Sequence, residues 1–459
     1  MFIEDTIVAP ATGPARGAVA IVRLSGPKAI QIAHAIWNPR NKATIEPRRL
    51  HLGDVIDPET EAHIDTAMAV VFPKPSSLTG EDVAELQCHG GSYVVNRIVG
   101  LAMRLGARMA EPGEFTRRAF LNGRIDLTEA EAIADIVDAR SENALTLAVS
   151  HLTGALADKL RGFRRELISI RAHLEAEIDF SDEGIALPSR GDIASAIERL
   201  ASDVAILHDT YSRGRLRREG ARVAIVGKPN VGKSSILNLL LGTDRAIVTA
   251  TPGTTRDVIE ESIQLGPYSI VIQDTAGIRS SIDEIEMIGI ERTMRSLADA
   301  DLVIAVFDSS RELDADDVAI AHQCRARAGI ALLNKNDLPT QVTPGELRLL
   351  GIAMPILSFS ALTTSGIDAL KCELLRAIES LGGASAGDGV AISRERHREA
   401  LARALEALAA AKHSALQPMP PEIIAVDVAL ASDALGEITG EVHTEDVLDA
   451  VFREFCIGK

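Results

Sequence analysis

The run from Gly227 to Ser235 has the residue types and the spacing that bind a phosphate chain. Its sequence, GKPNVGKSS, follows an apolar stretch at residues 223–226 and matches the pattern GxxxxGK[ST]. The glycines let the backbone curl so that N–H groups point at phosphate oxygens, and Lys233 brings a positive charge to the terminal phosphates. Ser234 offers a hydroxyl to Mg²⁺. The segment therefore predicts a phosphate-binding loop between a strand and a helix.

Three further motifs follow in the order expected of a GTP site. PGTTRD contains Thr255, placed to close over Mg²⁺ and the γ-phosphate, and DTAG contains Asp274, which can hold the Mg²⁺ shell. NKND contains Asp337, whose carboxylate can accept two hydrogen bonds from guanine and so selects GTP over ATP. Ser360 and Ala361 complete the base pocket. The predicted GTP-binding residues are Asn230, Val231, Gly232, Lys233, Ser234, Ser235, Thr249, Ala250, Thr251, Pro252, Gly253, Thr254, Thr255, Asp274, Thr275, Ala276, Gly277, Asn334, Lys335, Asp337, Ser360, Ala361 and Leu362.

The residue after DTAG is Ile278, whose side chain cannot orient an attacking water. In small signalling GTPases this position is a glutamine that does so. Hydrolysis therefore requires another polar group, and the next segment offers Asp283, Glu284 and Glu286. Nearby arginines at 256 and 279 are either arginine fingers or surface ion-pair partners.

The nucleotide motifs lie in a region of alternating strands and helices, from Ala221 to about Leu381. This alternation is typical of a parallel sheet with crossover helices. The predicted strands are residues 222–226, 270–273, 302–307, 331–333 and 355–359. Motifs that follow strands of such a sheet meet at one edge, so the pattern predicts a Ras-like P-loop GTPase domain.

Two other patterns flank this region. Residues 1–122 contain short apolar runs split by Pro and Gly, which predicts an α/β domain with a mixed sheet. Residues 123–218 are helical, with a predicted capping box at Thr128 and Glu131. Helical patterns return after a small-residue linker and continue through residues 382–459. We therefore predict an α/β + α fold in which the GTPase domain, residues 219–381, is inserted into a discontinuous helical domain.

Composition and charge limit the classes of protein to which this chain can belong. The chain has 459 residues, 46% of them apolar, and a net charge of −17. It has no apolar run long enough to span a bilayer, its four cysteines are isolated, and Glu4 and Asp5 replace the basic residues of a secretory signal. These features predict a cytoplasmic protein without membrane contact. Two basic clusters are either local nucleic-acid contacts or solvated helix faces: Lys159, Arg161, Arg164 and Arg165, and Arg213, Arg215, Arg217 and Arg218.

The sequence resembles, from end to end, the MnmE (TrmE) family of bacterial tRNA-modification GTPases. The resemblance is carried by DTIVAPATGPARGAVAIVRLSGP, TGEDVAELQCHGG, PGEFTRRAFLNGRIDLTEAEAIADI and FCIGK, together with the nucleotide motifs. It implies a homodimer formed through the N-terminal domain and a partner flavoprotein, MnmG (GidA), in a heterotetramer or larger complex. The implied activity is potassium-stimulated GTP hydrolysis. The implied pathway is aminomethyl or carboxymethylaminomethyl modification at C5 of the wobble uridine, position 34, of certain tRNAs.

The resemblance also assigns residues in the nucleotide site. It implies that Asn230 binds K⁺ with main-chain groups of Thr249, Thr251 and Thr254, where a monovalent cation neutralises phosphate charge as an arginine finger would. It implies that Glu286 orients the attacking water. The catalytic set is then Glu286, Lys233 and Thr255, with Mg²⁺ held by Ser234 and Thr255.

A tetrahydrofolate derivative, in the 5-formyl or 5,10-methylene form, is the implied source of the one-carbon unit. The family's folate positions correspond to Arg23, Glu85, Arg124 and Lys459, with Cys456 as a further candidate. A carboxylate suits the donor pair of a pterin ring, and cations suit the glutamate tail. Strand alternation places Glu85 on the face opposite its apolar neighbours. Taken alone, Cys456 is more often a buried, inert cysteine.

Two other functions are compatible with parts of the sequence. A ribosome-assembly or regulatory GTPase switch would share the hydrophobic residue after DTAG, but it would usually carry a basic RNA-binding module. A folate-dependent transferase could perform all the chemistry itself, with the GTPase as a gate. The chain has no GxGxxG-type loop after a strand, which favours redox chemistry in a partner protein.

Overall fold

A computed structural model describes residues 5–13, 17–40, 45–180, 187–243, 261–272, 297, 299–382 and 389–459. The strands are β1 (Thr6–Pro10), β2 (Gly17–Ser25), β3 (Trp37–Pro39), β4 (His51–Ile56), β5 (His63–Phe72), β6 (Val83–Gly90), β7 (Ala107–Met109), β8 (Ala221–Val226), β9 (Glu261–Leu265), β10 (Tyr268–Ile272), β11 (Leu302–Asp308), β12 (Gly329–Asn334) and β13 (Ile356–Ser358). The helices are α1 (Ala29–Ile36), α2 (Ser92–Arg104), α3 (Glu114–Leu121), α4 (Leu127–Asp138), α5 (Glu142–Leu152), α6 (Ala155–Asp179), α7 (Arg190–His208), α8 (Tyr211–Glu219), α9 (Lys233–Thr243), α10 (Ala315–Cys324), α11 (Pro344–Leu349), α12 (Ile367–Leu381), α13 (Glu395–Leu416), α14 (Pro421–Thr439) and α15 (Glu445–Arg453).

Contacts divide the chain into two compact units. The first unit comprises Met1–Ala134, His151–Leu187 and Pro420–Lys459, and the second comprises Asp135–Ser150 and Pro188–Met419. Each unit therefore combines segments that are distant in sequence.

The first unit contains a seven-stranded mixed sheet, as predicted. Its strand order is β3-β4-β5-β6-β2-β1-β7, and neighbouring strands are antiparallel except β1 and β7. One face is covered by α1 and α2, which pack on buried residues such as Val22, Leu24 and Leu86. The alternation of these strands turns Arg23 and Glu85 to the opposite face, where they are paired in register.

The second unit contains a six-stranded sheet in the order β13-β12-β11-β8-β10-β9. Its pairs are parallel except β9 with β10, which form an antiparallel hairpin. β8, β11, β12 and β13 lie where the sequence predicts strands, and β10 overlaps its prediction. The prediction missed β9, because its strand pattern is only five residues long and ends at Gly266 and Pro267. Strand β11 is buried along its whole length, as a central parallel strand should be.

Helices that precede the six-stranded sheet in sequence pack on helices that follow it. In the first unit α6 packs on α14, where Arg164 Nε donates to Ser432 Oγ at 3.4 Å. In the second unit α7 packs on α13, and Lys412 Nζ lies 2.7 Å from Glu198 Oε1. The helical region is thus discontinuous, and the predicted α/β + α class is confirmed. The boundaries at residues 122, 218 and 381 stay a prediction.

Helix α4 begins slightly earlier than its predicted capping box. Asp126 Oδ1 accepts from the Glu129 N–H at 3.0 Å, and Glu129 Oε2 accepts from the Asp126 N–H at 2.8 Å. The prediction of Thr128 with Glu131 was wrong, because the aspartate two residues earlier provides the same reciprocal pattern. In the part of the chain that the structure describes, no helix is long and apolar enough to cross a membrane.

Candidate functional sites

The phosphate-binding loop predicted at residues 227–235 connects β8 to α9. Gly227 and Gly232 leave room for close approach: a Cβ on Gly227 would lie 2.5 Å from Val306 O, and one on Gly232 would lie 2.2 Å from Asn334 Nδ2. Asn230 has φ +63°, a left-handed conformation that asparagine tolerates better than most residues. The loop therefore has the tight curl that the sequence pattern predicts.

Lys233 is held by the carbonyl groups of its own loop. Its Nζ donates to Gly227 O and to Lys228 O, each at 2.7 Å. Burial lowers the pKa of this ammonium, and among the described residues no carboxylate is paired with it to offset desolvation. An anionic ligand in the loop would restore favourable charge pairing at Lys233.

Asn334 joins the phosphate loop to the predicted base pocket. This residue ends β12 and is only 1% exposed. Its Nδ2 donates to Val231 O at 2.7 Å, and its Oδ1 accepts from the Ala361 N–H at 3.0 Å. One side chain thus fixes the distance between two motifs that are 103 residues apart.

Asp337 and Ser360 meet in the predicted base pocket. Ser360 Oγ donates to Asp337 Oδ1 at 2.5 Å and accepts from the Thr363 N–H at 3.2 Å. Ser360 is 1% exposed, whereas Asp337 is exposed and can reach a ligand. Leu362, also a predicted GTP-binding residue, follows Ala361 in the sequence and is 82% exposed. The structure therefore brings together the base-side residues of the prediction.

Several predicted residues of the nucleotide site lie outside the described residues. They are Thr249, Ala250, Thr251, Pro252, Gly253, Thr254, Thr255, Asp274, Thr275, Ala276, Gly277 and Glu286. In the part that is described, Ser234 and Ser235 are exposed in the first turn of α9.

Three carboxylates that the sequence analysis did not single out contact the nucleotide motifs. Asp308, at the end of β11, accepts from Lys335 Nζ at 2.7 Å. Asp314 and Asp317 both accept from Lys228 Nζ at 2.6 Å. Their sequence, DSSRELDADD, has no phosphate-loop or guanine pattern, so motif spacing alone gave no signal for them.

The predicted folate residues Arg23 and Glu85 form an ion pair on the sheet of the first unit. Arg23 Nε donates to Glu85 Oε1 at 2.8 Å, and the two side chains are 20% and 15% exposed. The Arg23 guanidinium also lies 5.7 Å from the centre of the Phe115 ring. A half-buried carboxylate with a fixed cation beside it has the donor and acceptor chemistry that a pterin requires.

Residues 455–459, which we call the tail segment, lie against this ion pair. Arg23 Nη1 donates to Gly458 O at 3.5 Å, and the Phe115 N–H donates to Lys459 O at 3.1 Å. Gly458 has φ +98°, and a Cβ there would lie 2.0 Å from Pro10 O. The structure thus brings together Arg23, Glu85 and Lys459 from three distant parts of the chain.

Arg124, the fourth predicted folate residue, lies on a neighbouring loop. Its side chain is exposed and packs near Gly80, whose Cβ would lie 3.3 Å from Arg124 Cγ. Asn122 Nδ2 donates to Thr79 O at 2.7 Å and ties this loop to residues 77–82. Within the described residues no contact joins Arg124 directly to Arg23 or Glu85.

A buried ionic network lies next to these residues and was not assigned by the sequence analysis. Arg118, 8% exposed, donates to Asp5 at 2.6 Å, to Glu114 at 2.9 Å and to Glu81 at 3.1 Å. Glu81 in turn accepts from Ser25, two residues after Arg23 in β2. Burial acts to raise the pKa of Glu114, but its arginine partners outweigh burial and lower it. The network fixes the loop at residues 77–82 relative to β2.

Two interpretations from the sequence change with the structure. Cys456 is exposed, so the expectation of a buried cysteine was wrong. Arginines of both basic clusters pair with carboxylates, including Arg161 with Asp158 at 2.9 Å and Arg215 with Asp301. These pairs favour the helix-face interpretation for those arginines.

Metal ligands were predicted only within the nucleotide site. Among the residues that the structure describes, no cluster of three or more His, Cys, Asp or Glu side chains would hold a metal ion by itself. Asn230 precedes Lys233 in the sequence and Ser234 follows it, and both residues are exposed. An amide oxygen and a hydroxyl are suitable ligands for hard cations that also bind phosphate oxygens.

Comparison with known proteins gives consistent matches over the whole chain. A family profile described as the MnmE helical domain matches residues 127–456, and one described as the GTP-binding protein TrmE N-terminus matches residues 6–124. The chain is 41% identical to a tRNA modification GTPase MnmE from Natranaerobius thermophilus, over 99% of this chain and 100% of the relative. It is 42% identical to that from Syntrophotalea carbinolica and 41% identical to that from Clostridioides difficile, each over 100% of both chains.

Proposed function

The chain belongs to the MnmE family of tRNA modification GTPases and is a GTP hydrolase that acts in tRNA modification, and from this premise we propose its cofactors, partners and site residues. We propose that K⁺ stimulates its hydrolysis of GTP. We further propose that it acts with a flavoprotein of the MnmG type to install an aminomethyl or carboxymethylaminomethyl group at C5 of the wobble uridine. A tetrahydrofolate derivative, when bound, supplies the one-carbon unit.

The observation that carries the nucleotide proposal is the link that Asn334 makes between the phosphate loop and the base pocket. In the proposed mechanism Asp337 accepts hydrogen bonds from guanine while Ser360 fixes the carboxylate. Lys233 moves its ammonium from the loop carbonyls to the terminal phosphates. Ser234 and Asn230 would hold Mg²⁺ and K⁺, which neutralise phosphate charge when bound.

Glu286 is proposed to orient the attacking water, because Ile278 follows DTAG and has no polar atom in its side chain. Thr255 would close over the γ-phosphate, and main-chain groups of Thr249, Thr251 and Thr254 would complete the K⁺ site. These residues lie outside the described part of the chain, so their support is the family resemblance of the motifs. Glu286→Ala should abolish turnover while GTP binding persists; normal hydrolysis by this variant would contradict the assignment.

The folate proposal is supported by the convergence of Arg23, Glu85 and the tail segment. Glu85 would accept from the donor pair of the pterin ring, and Arg23 and Lys459 would pair with acidic groups of the ligand. Arg124 would reach the same ligand from the loop at residues 122–124. Cys456 is exposed, which is compatible with contact to a ligand but does not assign it a role.

We propose that the protein works as a cytoplasmic homodimer, joined through the N-terminal domain, with tRNA and the flavoprotein as further partners. A heterotetramer or larger complex is the proposed assembly. The four-part division at residues 122, 218 and 381 is the proposed domain organisation.

The test combines single-turnover GTP hydrolysis in K⁺ and in Na⁺ with nucleoside analysis of tRNA from cells that lack the protein. We expect faster hydrolysis in K⁺ and loss of the modified wobble uridine. A normal uridine profile with defective ribosomal subunits would instead favour a ribosome-assembly GTPase. Modification by the purified protein without a flavoprotein would favour a self-sufficient folate-dependent transferase.

A further inference from the structure

Three carboxylates, Asp308 at the end of β11 and Asp314 and Asp317 after it, pair with lysines of two separate nucleotide motifs; we call them the acidic bracket. Asp308 accepts from Lys335 of NKND at 2.7 Å. Asp314 and Asp317 accept from Lys228 of the phosphate loop at 2.6 Å each. The bracket therefore contacts both halves of the nucleotide site while belonging to neither motif.

The Lys228 side chain is almost completely buried, at 7% exposure. Burial acts to lower the pKa of its ammonium, but the hydrogen bonds from Lys228 to Asp314 and Asp317 outweigh burial and raise it. A buried charge is tolerated only when it is paired and hydrogen-bonded. The position of Lys228 is thus determined by these two carboxylates.

The two carboxylates are themselves fixed by the start of α10. Asp314 Oδ1 caps this helix by accepting from the Asp316 and Asp317 N–H groups, at 3.0 and 3.2 Å. Asp317 Oδ2 accepts from the Asp314 N–H at 3.2 Å and completes a capping box. Because both side chains are locked by the helix end, Lys228 is held against a rigid support.

Fixing Lys228 also fixes the atoms that hold Lys233. The carbonyl oxygens of Gly227 and Lys228 accept from Lys233 Nζ, and they belong to the peptide units on either side of the Lys228 Cα. A shift of the Lys228 backbone would therefore move the ammonium that is proposed to contact the terminal phosphates. These contacts connect the bracket to Lys233 through the backbone of Lys228.

The second arm of the bracket acts on the base side. Asp308 is 5% exposed and also accepts from the Ser310 N–H at 3.0 Å. Burial acts to raise the pKa of Asp308, yet the hydrogen bonds from Lys335 and Ser310 lower it. Lys335 adopts φ +64°, an uncommon conformation for lysine, next to Asn334 of the pocket.

We propose that the acidic bracket positions the two halves of the nucleotide site: Lys228 with Asp314 and Asp317 orders the phosphate loop, and Asp308 orders the guanine motif through Lys335. The proposal rests on the GTP site proposed above. It assigns positioning roles to Lys228 and the three carboxylates, which are not among the predicted GTP-binding residues.

The test uses the full-length protein and the dissociation rate of a fluorescent GDP measured by stopped flow. Lys228→Met should raise this rate about 10-fold, since it leaves two carboxylates without their cation. Lys228→Arg should restore it to within about 3-fold of the wild-type rate, because both carboxylates keep a cationic partner. Lys412→Met, which removes a lysine ion pair from the α7–α13 contact, is the matched control and should leave the rate unchanged.

Asp317→Asn and Asp314→Asn compare a buried partner with an exposed one. Their side chains are 4% and 59% exposed, so the first substitution should raise the rate more than the second. Asparagine is also a good N-cap, so Asp314→Asn removes charge while retaining the helix cap. Equal and negligible effects of both substitutions would overturn the Lys228 arm.

Comparing the affinities of each variant for GMP and for GDP separates a positioning effect from a general loss of structure. Lys228→Met should weaken GDP binding more than GMP binding, because its effect acts on the phosphate loop. Asp308→Asn should weaken both ligands equally, because its effect acts on the base side. The same pattern in both variants would overturn the proposal.

Failure of the proposed function has a different signature. If the wild-type protein binds no guanine nucleotide, the GTP site itself is wrong. If the wild type binds GDP and Lys228→Met releases it at the wild-type rate, only the bracket is wrong. Should Lys228→Met fail to fold by thermal melting, the comparison of Lys228→Arg with Asp317→Asn decides: a rate increase confined to the neutralising Asp317→Asn supports the bracket, and its absence overturns it.

Discussion

The nucleotide site and the candidate folate site are built in opposite ways. In the described residues the nucleotide site uses short motifs at the ends of β8 and β12, and the phosphate loop folds on itself, since Lys233 donates to Gly227 O. The candidate folate site gathers single residues from distant segments, and Arg23 donates to a carbonyl 435 residues away. A site made of local motifs can be recognised from spacing, whereas a site made of isolated residues depends on the whole unit being folded.

The largest expected effect tests the nucleotide site, which is built from local motifs. Asp337→Asn should reduce GDP affinity at least ~100-fold, because two charge-assisted hydrogen bonds of ~1.5–3 kcal/mol each are lost. Affinity for xanthosine diphosphate should rise, since the amide can donate where the carboxylate accepted. Calorimetry with both nucleotides measures the change, and Asp368→Asn, at an exposed position of α12, is the control. Unchanged GDP affinity would contradict the base-pocket assignment.

The next largest effect tests how far the candidate folate site depends on the buried ionic network around Arg118. Arg118→Met should lower the free energy of unfolding by about 3 kcal/mol, because Glu81 loses its arginine partner and Asp5 and Glu114 keep only Arg108. Chemical denaturation measures this loss, and folate affinity should fall with it while GDP affinity is retained. A variant with wild-type stability would show that the network does not support the site.

The same network predicts a pH dependence with a defined sign. The pKa values of Asp5 and Glu114 are lowered in the folded protein: burial acts to raise both, and the arginine hydrogen bonds outweigh it. Their stabilising contribution is present above the unfolded-state pKa values and is lost as the pH falls through the lowered values. The wild type should therefore lose stability in acid, and Arg118→Met should lose less between neutral pH and acid.

A smaller effect is expected at the tail segment. Removing Gly458 and Lys459 should weaken binding of 5-formyltetrahydrofolate by about 10-fold, the order of one hydrogen bond to a charged group. Lys459→Ala should lose less, because the Phe115 N–H still has its main-chain acceptor. Calorimetry with folate and GDP in parallel measures both sites. A parallel loss of GDP affinity would show that the two sites are not independent.

The smallest effect concerns Lys233 at alkaline pH. Burial lowers the pKa of its ammonium below the ordinary 10.5, and phosphate binding should raise it again. GDP affinity should therefore fall a few-fold as the pH rises through the lowered pKa of the free protein. Lys233→Arg is the control, since arginine stays charged and guanine deprotonation affects both proteins equally. Identical pH profiles for the two proteins would remove Lys233 as the cause.

The sequence predicted the nucleotide half of the molecule well because its constraints are local. The residue types at Gly232 and Asn334 are required by their close packing on each other. Strands such as β11 show an unbroken apolar run. The acidic bracket could not be predicted, because the contact of Lys228 with Asp314 spans 86 residues and follows no spacing rule. The prediction of Thr128 as the cap failed for a different reason. Two capping patterns overlap in this segment, Asp126 with Glu129 and Thr128 with Glu131, and they differ only in which residue lies outside the helix.

The folate half was accessible only through resemblance. Strand alternation correctly placed Glu85 on the face opposite Leu86, but nothing in its spacing indicates Arg23 or Lys459 as neighbours. The exposure of Cys456 was also unpredictable, since it depends on how the tail segment packs on the rest of the first unit. Long-range packing determines these positions, and a single sequence does not show it.

The contact between Phe115 and the tail segment has a consequence for biosynthesis. The N–H of Phe115 and the side chain of Arg23 are translated hundreds of residues before the carbonyls that they contact at Lys459 and Gly458. The strands of the seven-stranded sheet lie within residues 6–109 and can pair before the tail segment is translated, whereas Arg23 and Phe115 can contact the tail segment only after it has left the exit tunnel. Chains truncated before the tail segment would therefore be able to form the sheet but would lack these contacts with Arg23 and Phe115.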